Sequence, residues 1–134
     1  MSRKSARETV YKLIFEFLFS KKRNTLTEEV FAVDNTLTAE DKKYIEKAYS
    51  GIIEHFDELT GIVAEKAEGF VLDRIYKPDL AALLLSIYEI TYMKDIPELV
   101  SISEALELVK VYSTDKSNSF VHGILAKYLE EQKK

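Results

Sequence analysis

The sequence predicts an all-α domain of about seven helices, and three observations carry that prediction. Four glycines and two prolines in 134 residues leave little turn chemistry and no hairpin signal. Apolar residues recur at helical rather than strand spacing along most of the chain. The segment from Leu80 to Tyr92, LAALLLSIYEITY, is apolar on nearly every side yet far shorter than the roughly 18 residues a membrane span needs, so it reads as a central buried helix.

Each element has its own local reason. Ser5-Ala6-Arg7-Glu8 has the form of a capping box. Val10, Leu13, Ile14, Phe17 and Leu18 then mark one buried face, and Ser20 to Asn24 closes the helix in a basic cluster. Thr25-Leu26-Thr27-Glu28 caps a short second helix through about Ala32. Thr38-Ala39-Glu40-Asp41 opens a third, with Tyr44, Ile45, Ala48, Ile52, Ile53 and Phe56 inward. A weaker pattern spans Leu59 to Ile75, where Gly61 and Gly69 each cost about 1 kcal/mol relative to alanine. Pro78 suits the first turn of the fifth helix. After Pro97, Ser101-Ile102-Ser103-Glu104 caps a sixth, and Ser117 or Asp115 caps a seventh that carries Phe120, Val121, Ile124, Leu125, Tyr128 and Leu129. Glu130 to Lys134 reads as a solvated, frayed tail. Short connections favour antiparallel neighbours, in one domain of two subbundles divided near Asp57 to Leu59.

Composition excludes several functions. With no cysteine, disulfides, thiolate metal sites and thiol nucleophiles are impossible. His55 and His122 stand 67 positions apart with no ligand pair at metal spacing, and no nucleophile elbow, zinc-protease helix or phosphate loop occurs. The expectation is a non-enzyme without cofactor or metal, soluble and cytoplasmic, with no membrane role. Net charge is −4, which argues against a general polyanion binder. The distribution is uneven: residues 1–23 hold seven basic and two acidic groups, and the rest 12 and 21. That asymmetry reads either as a local anion-binding face or as a solvated helix start.

Three segments together resemble the NusB family of bacterial transcription antitermination factors. They are Arg3-Lys4-Ser5-Ala6-Arg7-Glu8 at the start, Leu83 to Ile90 in the central helix, and the C-terminal run through Asp95-Ile96-Pro97, Ile102-Ser103-Glu104-Ala105, Tyr112-Ser113 and Phe120-Val121-His122-Gly123. The resemblance covers nearly the whole chain and implies two helical subbundles sharing a long helix. It implies binding of boxA-type single-stranded RNA in ribosomal RNA leaders, jointly with the small-subunit ribosomal protein that acts as NusE. The pair then joins other Nus factors on RNA polymerase. The implied RNA residues are Arg3, Lys4, Arg7, Phe15, Asp79, Lys116 and Phe120. Phe15 and Phe120 also read as core residues, and Asp79 as a favourable charge in a first helical turn. Some family members self-associate, so the resemblance leaves a homodimer open.

The chain departs from the family pattern at four places. Leu84 replaces the arginine of the central helix, and Ser5 a basic residue of the opening. Ser103 and His122 replace asparagines. Losing two cations predicts weak RNA affinity for the chain alone. The alternative reading is a protein-interaction scaffold or ribosome-assembly factor of the same fold with weakened RNA recognition.

Overall fold

The computed structural model describes the backbone of residues 2–133 and the side chains of residues 4–133. Its elements are α1 (Ser2–Ser20), α2 (Thr25–Ala32), α3 (Ala39–Glu54), α4 (Phe56–Lys66), a single 3₁₀ turn (Leu72–Arg74), α5 (Lys77–Tyr92), α6 (Glu98–Tyr112) and α7 (Ser117–Gln132). No strand occurs among the described residues. The all-α expectation holds, and so does the placement of the central helix.

Helix α5 is the axis. Every residue from Pro78 to Ile90 is buried, because α5 packs against α1, α3, α4, α6 and α7. Helices α1, α2 and α3 gather on one side, and α4, α6 and α7 on the other, around one continuous apolar core. His55 closes α3 and opens α4, so the division between the two groups falls two residues before the expected one.

Several boundaries differ from the sequence reading, each for a local reason. Helix α1 starts at Ser2, since nothing at Arg3 or Lys4 opposes helix, and Ser5 is an interior residue whose carbonyl accepts the Thr9 hydroxyl at 3.0 Å. It ends at Lys21, whose φ of 61° lets its N–H reach the Phe17 carbonyl at 2.8 Å. Asn24, not Thr25, caps α2, accepting from the N–H groups of Leu26 and Thr27 at 3.0 and 3.2 Å. The Thr38–Asp41 capping box is formed in both directions, each bond 3.1 Å.

The expected fourth helix is two pieces. Helix α4 begins at Phe56, tolerates Gly61, and stops at Lys66, because Gly69 takes φ +83° and turns the chain into the 3₁₀ segment. Helix α6 starts at Glu98, directly after Pro97, which leaves Ser101 in the helix interior rather than at its cap. Helix α7 runs to Gln132, held by an ion pair between Glu131 and Lys66 of α4, so most of the supposed tail is ordered. No described helix is long and apolar enough to cross a membrane, and no described cluster of acidic or histidine residues could hold a metal.

Candidate nucleic-acid interface

Arg7 is the residue the structure moves furthest from expectation. It lies on the inner face of α1 with Ala6 and Val10, and only 5% of it is exposed. Its Nε and Nη2 donate to the two carboxylate oxygens of Glu89 in α5, at 2.9 and 3.2 Å. The Glu89 carboxylate, 1% exposed, also accepts the hydroxyls of Tyr44 from α3 and Ser101 from α6. Four helices therefore meet on one buried carboxylate whose two oxygens each accept two hydrogen bonds. Burial opposes the charge on Arg7, but the hydrogen bond and charge of Glu89, with Tyr44 and Glu104 behind them, raise its pKa above the ordinary arginine value. A guanidinium held this way is a brace and cannot turn outward to a phosphate without unpairing Glu89. The structure places Arg7 between α1 and α5, not on the open surface expected of an RNA contact. Arg3 lies outside the residues whose side chains are described.

Lys4, one turn earlier, is exposed at the mouth of two grooves between α1 and α6. Their walls are largely acidic and apolar: Glu8, Asp95, Ile96, Val100, Glu104 and Glu107. This end of α1 is thus less electropositive than its sequence suggests.

A different character appears where the start of α5, the end of α6 and the start of α7 converge on α1. Asp79 is buried, and its Oδ1 accepts the Ser113 hydroxyl at 2.5 Å. Ser113 in turn bonds Ser117 at 2.8 Å, and the Tyr11 hydroxyl donates to the Pro78 carbonyl at 3.0 Å. Burial, then the nearby Asp79 charge, pushes the Tyr11 phenol well above its usual pKa. Asp79 therefore fixes the α6–α7 turn from beneath and does not face solvent.

Around that anchor stand exposed rings and cations. Phe120 is half-buried and meets Phe70, from the Gly69 turn, edge to face at 4.9 Å, while Phe70 is 52% exposed. Lys116 is exposed one turn before Phe120. Phe15 is half-buried and meets exposed Phe19 edge to face at 4.9 Å, with Lys77 Nζ 5.3 Å from the Phe19 ring centre. Lys12 Nζ lies 5.6 Å from the centre of the Tyr112 ring, which packs on Tyr11 at 5.5 Å. Rings with one face open and ammonium groups beside them suit stacked bases and bridging phosphates, a pairing that recurs in single-strand binding.

With the arrangement in view, relatives can be compared. The NusB family model matches residues 4–130. The chain belongs to the NusB family. A transcription antitermination protein NusB from Agathobacter rectalis is 42% identical over 131 residues, covering 96% of this chain and 99% of that protein. The one from Alkaliphilus oremlandii is 40% identical, covering 98% and 96%. The solved structure of T. maritima NusB superposes with a TM-score of 0.88 at 30% identity, covering 98% of this chain and 92% of that one. NusB in a structure of antitermination factors NusB and NusE with dsRNA matches in fold, TM-score 0.83 at 24% identity, over 94% of both chains.

In this NusB-family chain the sequence departures fall unevenly. Leu84 is wholly buried, so an arginine here would point into the core, and its absence removes no surface cation. Ser5, Ser103 and His122 are exposed. Lys12, Phe19 and Phe70 were not singled out from sequence, and Tyr112 entered only as part of the family-like C-terminal run. The linear signal of the first three is an exposed position on α1 next to an apolar face, or a turn residue beside a glycine. What joins them to Phe15 and Phe120 is tertiary packing.

Proposed function

We propose that this chain is a bacterial transcription antitermination factor. It binds boxA-type single-stranded RNA together with a small-subunit ribosomal protein acting as NusE, and with that partner joins the other Nus factors on RNA polymerase. The observation that carries the RNA part is the ring-and-cation surface around the Asp79–Ser113–Ser117 anchor, with Lys116, Phe120 and Phe15 as the expected contacts there. The relatives' name, and the presence of NusE and RNA in a fold-matched complex, support the same reading.

Lys4 extends the surface along α1, and Arg3 precedes it by one residue. Arg7 and Asp79 serve by holding the helices that present the others. The body is net negative, and the grooves beside Lys4 are acid-walled, so the chain alone offers few unopposed cations. The partner supplies the rest of the positive surface. The domain acts by binding.

The test is fluorescence anisotropy of a labelled boxA-type RNA with this chain alone, with the ribosomal protein alone, and with both. Selective binding over a scrambled RNA that needs both proteins is expected. Log affinity should fall against log salt with a slope near −0.7 for each phosphate held. Co-purification of the two proteins without any RNA binding would instead establish the scaffold reading, which the burial of Arg7 favours.

A further inference from the structure

We infer that Lys12 and Tyr112 form the middle of the RNA path, Tyr112 as a base platform and Lys12 as the phosphate contact beside it. This rests on the proposed RNA-binding function and goes beyond the residues assigned above. Lys4, Glu8, Lys12 and Phe15 follow i, i+4, i+8 and i+11 spacing along α1, so they share its outward face, with Lys4 and Lys12 about 12 Å apart along the axis. Tyr112 is the last residue of α6, and its neighbour Ser113 is bonded both to Asp79 at 2.5 Å and to Ser117 at 2.8 Å. Those bonds fix the ring relative to the start of α7, with Lys116 just before the helix and Phe120 in its first turn. The Lys12–Tyr112 pair thus joins the outward face of α1 to the turn that leads into α7.

The pair is built for exchange. The Tyr112 ring rests on buried Tyr11 at 5.5 Å and is itself 38% exposed, so it is backed but not covered. In the unbound chain the Lys12 ammonium sits over this ring at 5.6 Å and 3.5 Å from Glu8 Oε1. Burial opposes the Lys12 charge, but its interactions with Tyr112 and Glu8 outweigh that and hold its pKa above the ordinary lysine value. Both contacts are exposed and individually weak, so a phosphate can draw the ammonium away while a base replaces it on the ring. Glu8 competes with the phosphate for Lys12.

The experiment uses the complex of this chain with its ribosomal-protein partner and a boxA-type RNA, with affinity measured across a salt series. Tyr112→Ala should weaken binding roughly 5- to 150-fold, the range for losing one base–aromatic stack, without changing the salt slope. Tyr112→Phe should bind like the unaltered protein. Tyr112→Leu preserves apolar contact with Tyr11 and should still lose affinity, which separates stacking from packing. Lys12→Ala should reduce the salt slope by about 0.7, whereas Glu8→Gln should raise affinity. Lys94→Ala, an exposed lysine past the far end of α5, should change neither. No RNA binding by the unaltered complex would overturn the functional reading itself. RNA binding that ignores Tyr112→Ala and Lys12→Ala would overturn only the present assignment. So would loss of the protein partner from these variants, which would make the pair a protein contact.

Discussion

Replacing Arg7 by alanine separates the two roles a basic residue at the start of α1 could have. The substitution removes two of the four hydrogen bonds on the Glu89 carboxylate and leaves that charge buried on the hydroxyls of Tyr44 and Ser101 alone. Breaking a buried pair by deleting one partner costs about 3–5 kcal/mol. Unfolding entropy of about 2.1 cal/mol/K per residue amounts to about 0.28 kcal/mol/K for 134 residues. The melting temperature should therefore fall by about 10–18 °C, the free-energy loss being about a fifth or more of a typical domain's stability. Thermal unfolding followed by circular dichroism reads this directly. Glu89→Gln in the Arg7→Ala background should recover part of the loss, since the unpaired charge is gone. RNA affinity, measured well below the variant's melting temperature, should hold. An Arg7→Ala variant that melts within about 3 °C of the unaltered chain while losing RNA affinity and salt slope would refute the brace and make Arg7 a phosphate contact.

Three further expectations follow from buried positions. Leu84→Arg, which restores the family's residue type at a wholly buried site, should lower the urea midpoint by an amount equivalent to about 3 kcal/mol or more, and should add no RNA affinity. A folded variant that binds RNA more tightly would contradict the burial. Gly51→Ala should destabilise by about 1–3 kcal/mol despite alanine's better helix propensity, because a Cβ there would lie 2.0 Å from the Tyr88 hydroxyl oxygen. Adding Tyr88→Phe should relieve part of that cost, as measured by the same denaturant titration. Tyr11 keeps its proton to higher pH when folded than when unfolded, chiefly through burial and then through Asp79. Its contribution to stability is thus complete below about pH 10 and is lost progressively as pH rises above it. Tyr49 and Tyr88, both raised mainly by burial, act in the same direction. Tyr11→Phe should cost about 1 kcal/mol at neutral pH for the lost bond to Pro78, and should flatten the alkaline fall in melting temperature.

The helices were legible because their causes are local. The Thr38–Asp41 box, Pro78 in a first turn and the apolar run of α5 each act within a few residues, so pattern alone placed them. Boundaries were misplaced where a plausible cap was outcompeted nearby: Asn24 over Thr25, Pro97 over Ser101, and Gly69 breaking a pattern whose apolar spacing continued to Ile75. The site was harder, because exposure belongs to the assembled molecule. Arg7 and Lys4 are both basic residues near one helix start, and only the register of α1 against α5 decides that one meets Glu89 while the other faces solvent.

By itself, then, the sequence determined an all-helical chain, a buried fifth helix and membership in one family, since periodicity, capping and motif order are properties of the linear chain. Tertiary structure alone decided which charges are spent inside. It buried Arg7 and Asp79 in hydrogen-bond networks, put Leu84 in the core, and set Tyr112 against Lys12 across 100 residues of chain. The physical reason is that a charged or aromatic side chain takes its role from what lies opposite it. In a helical bundle, that neighbour comes from a different part of the sequence.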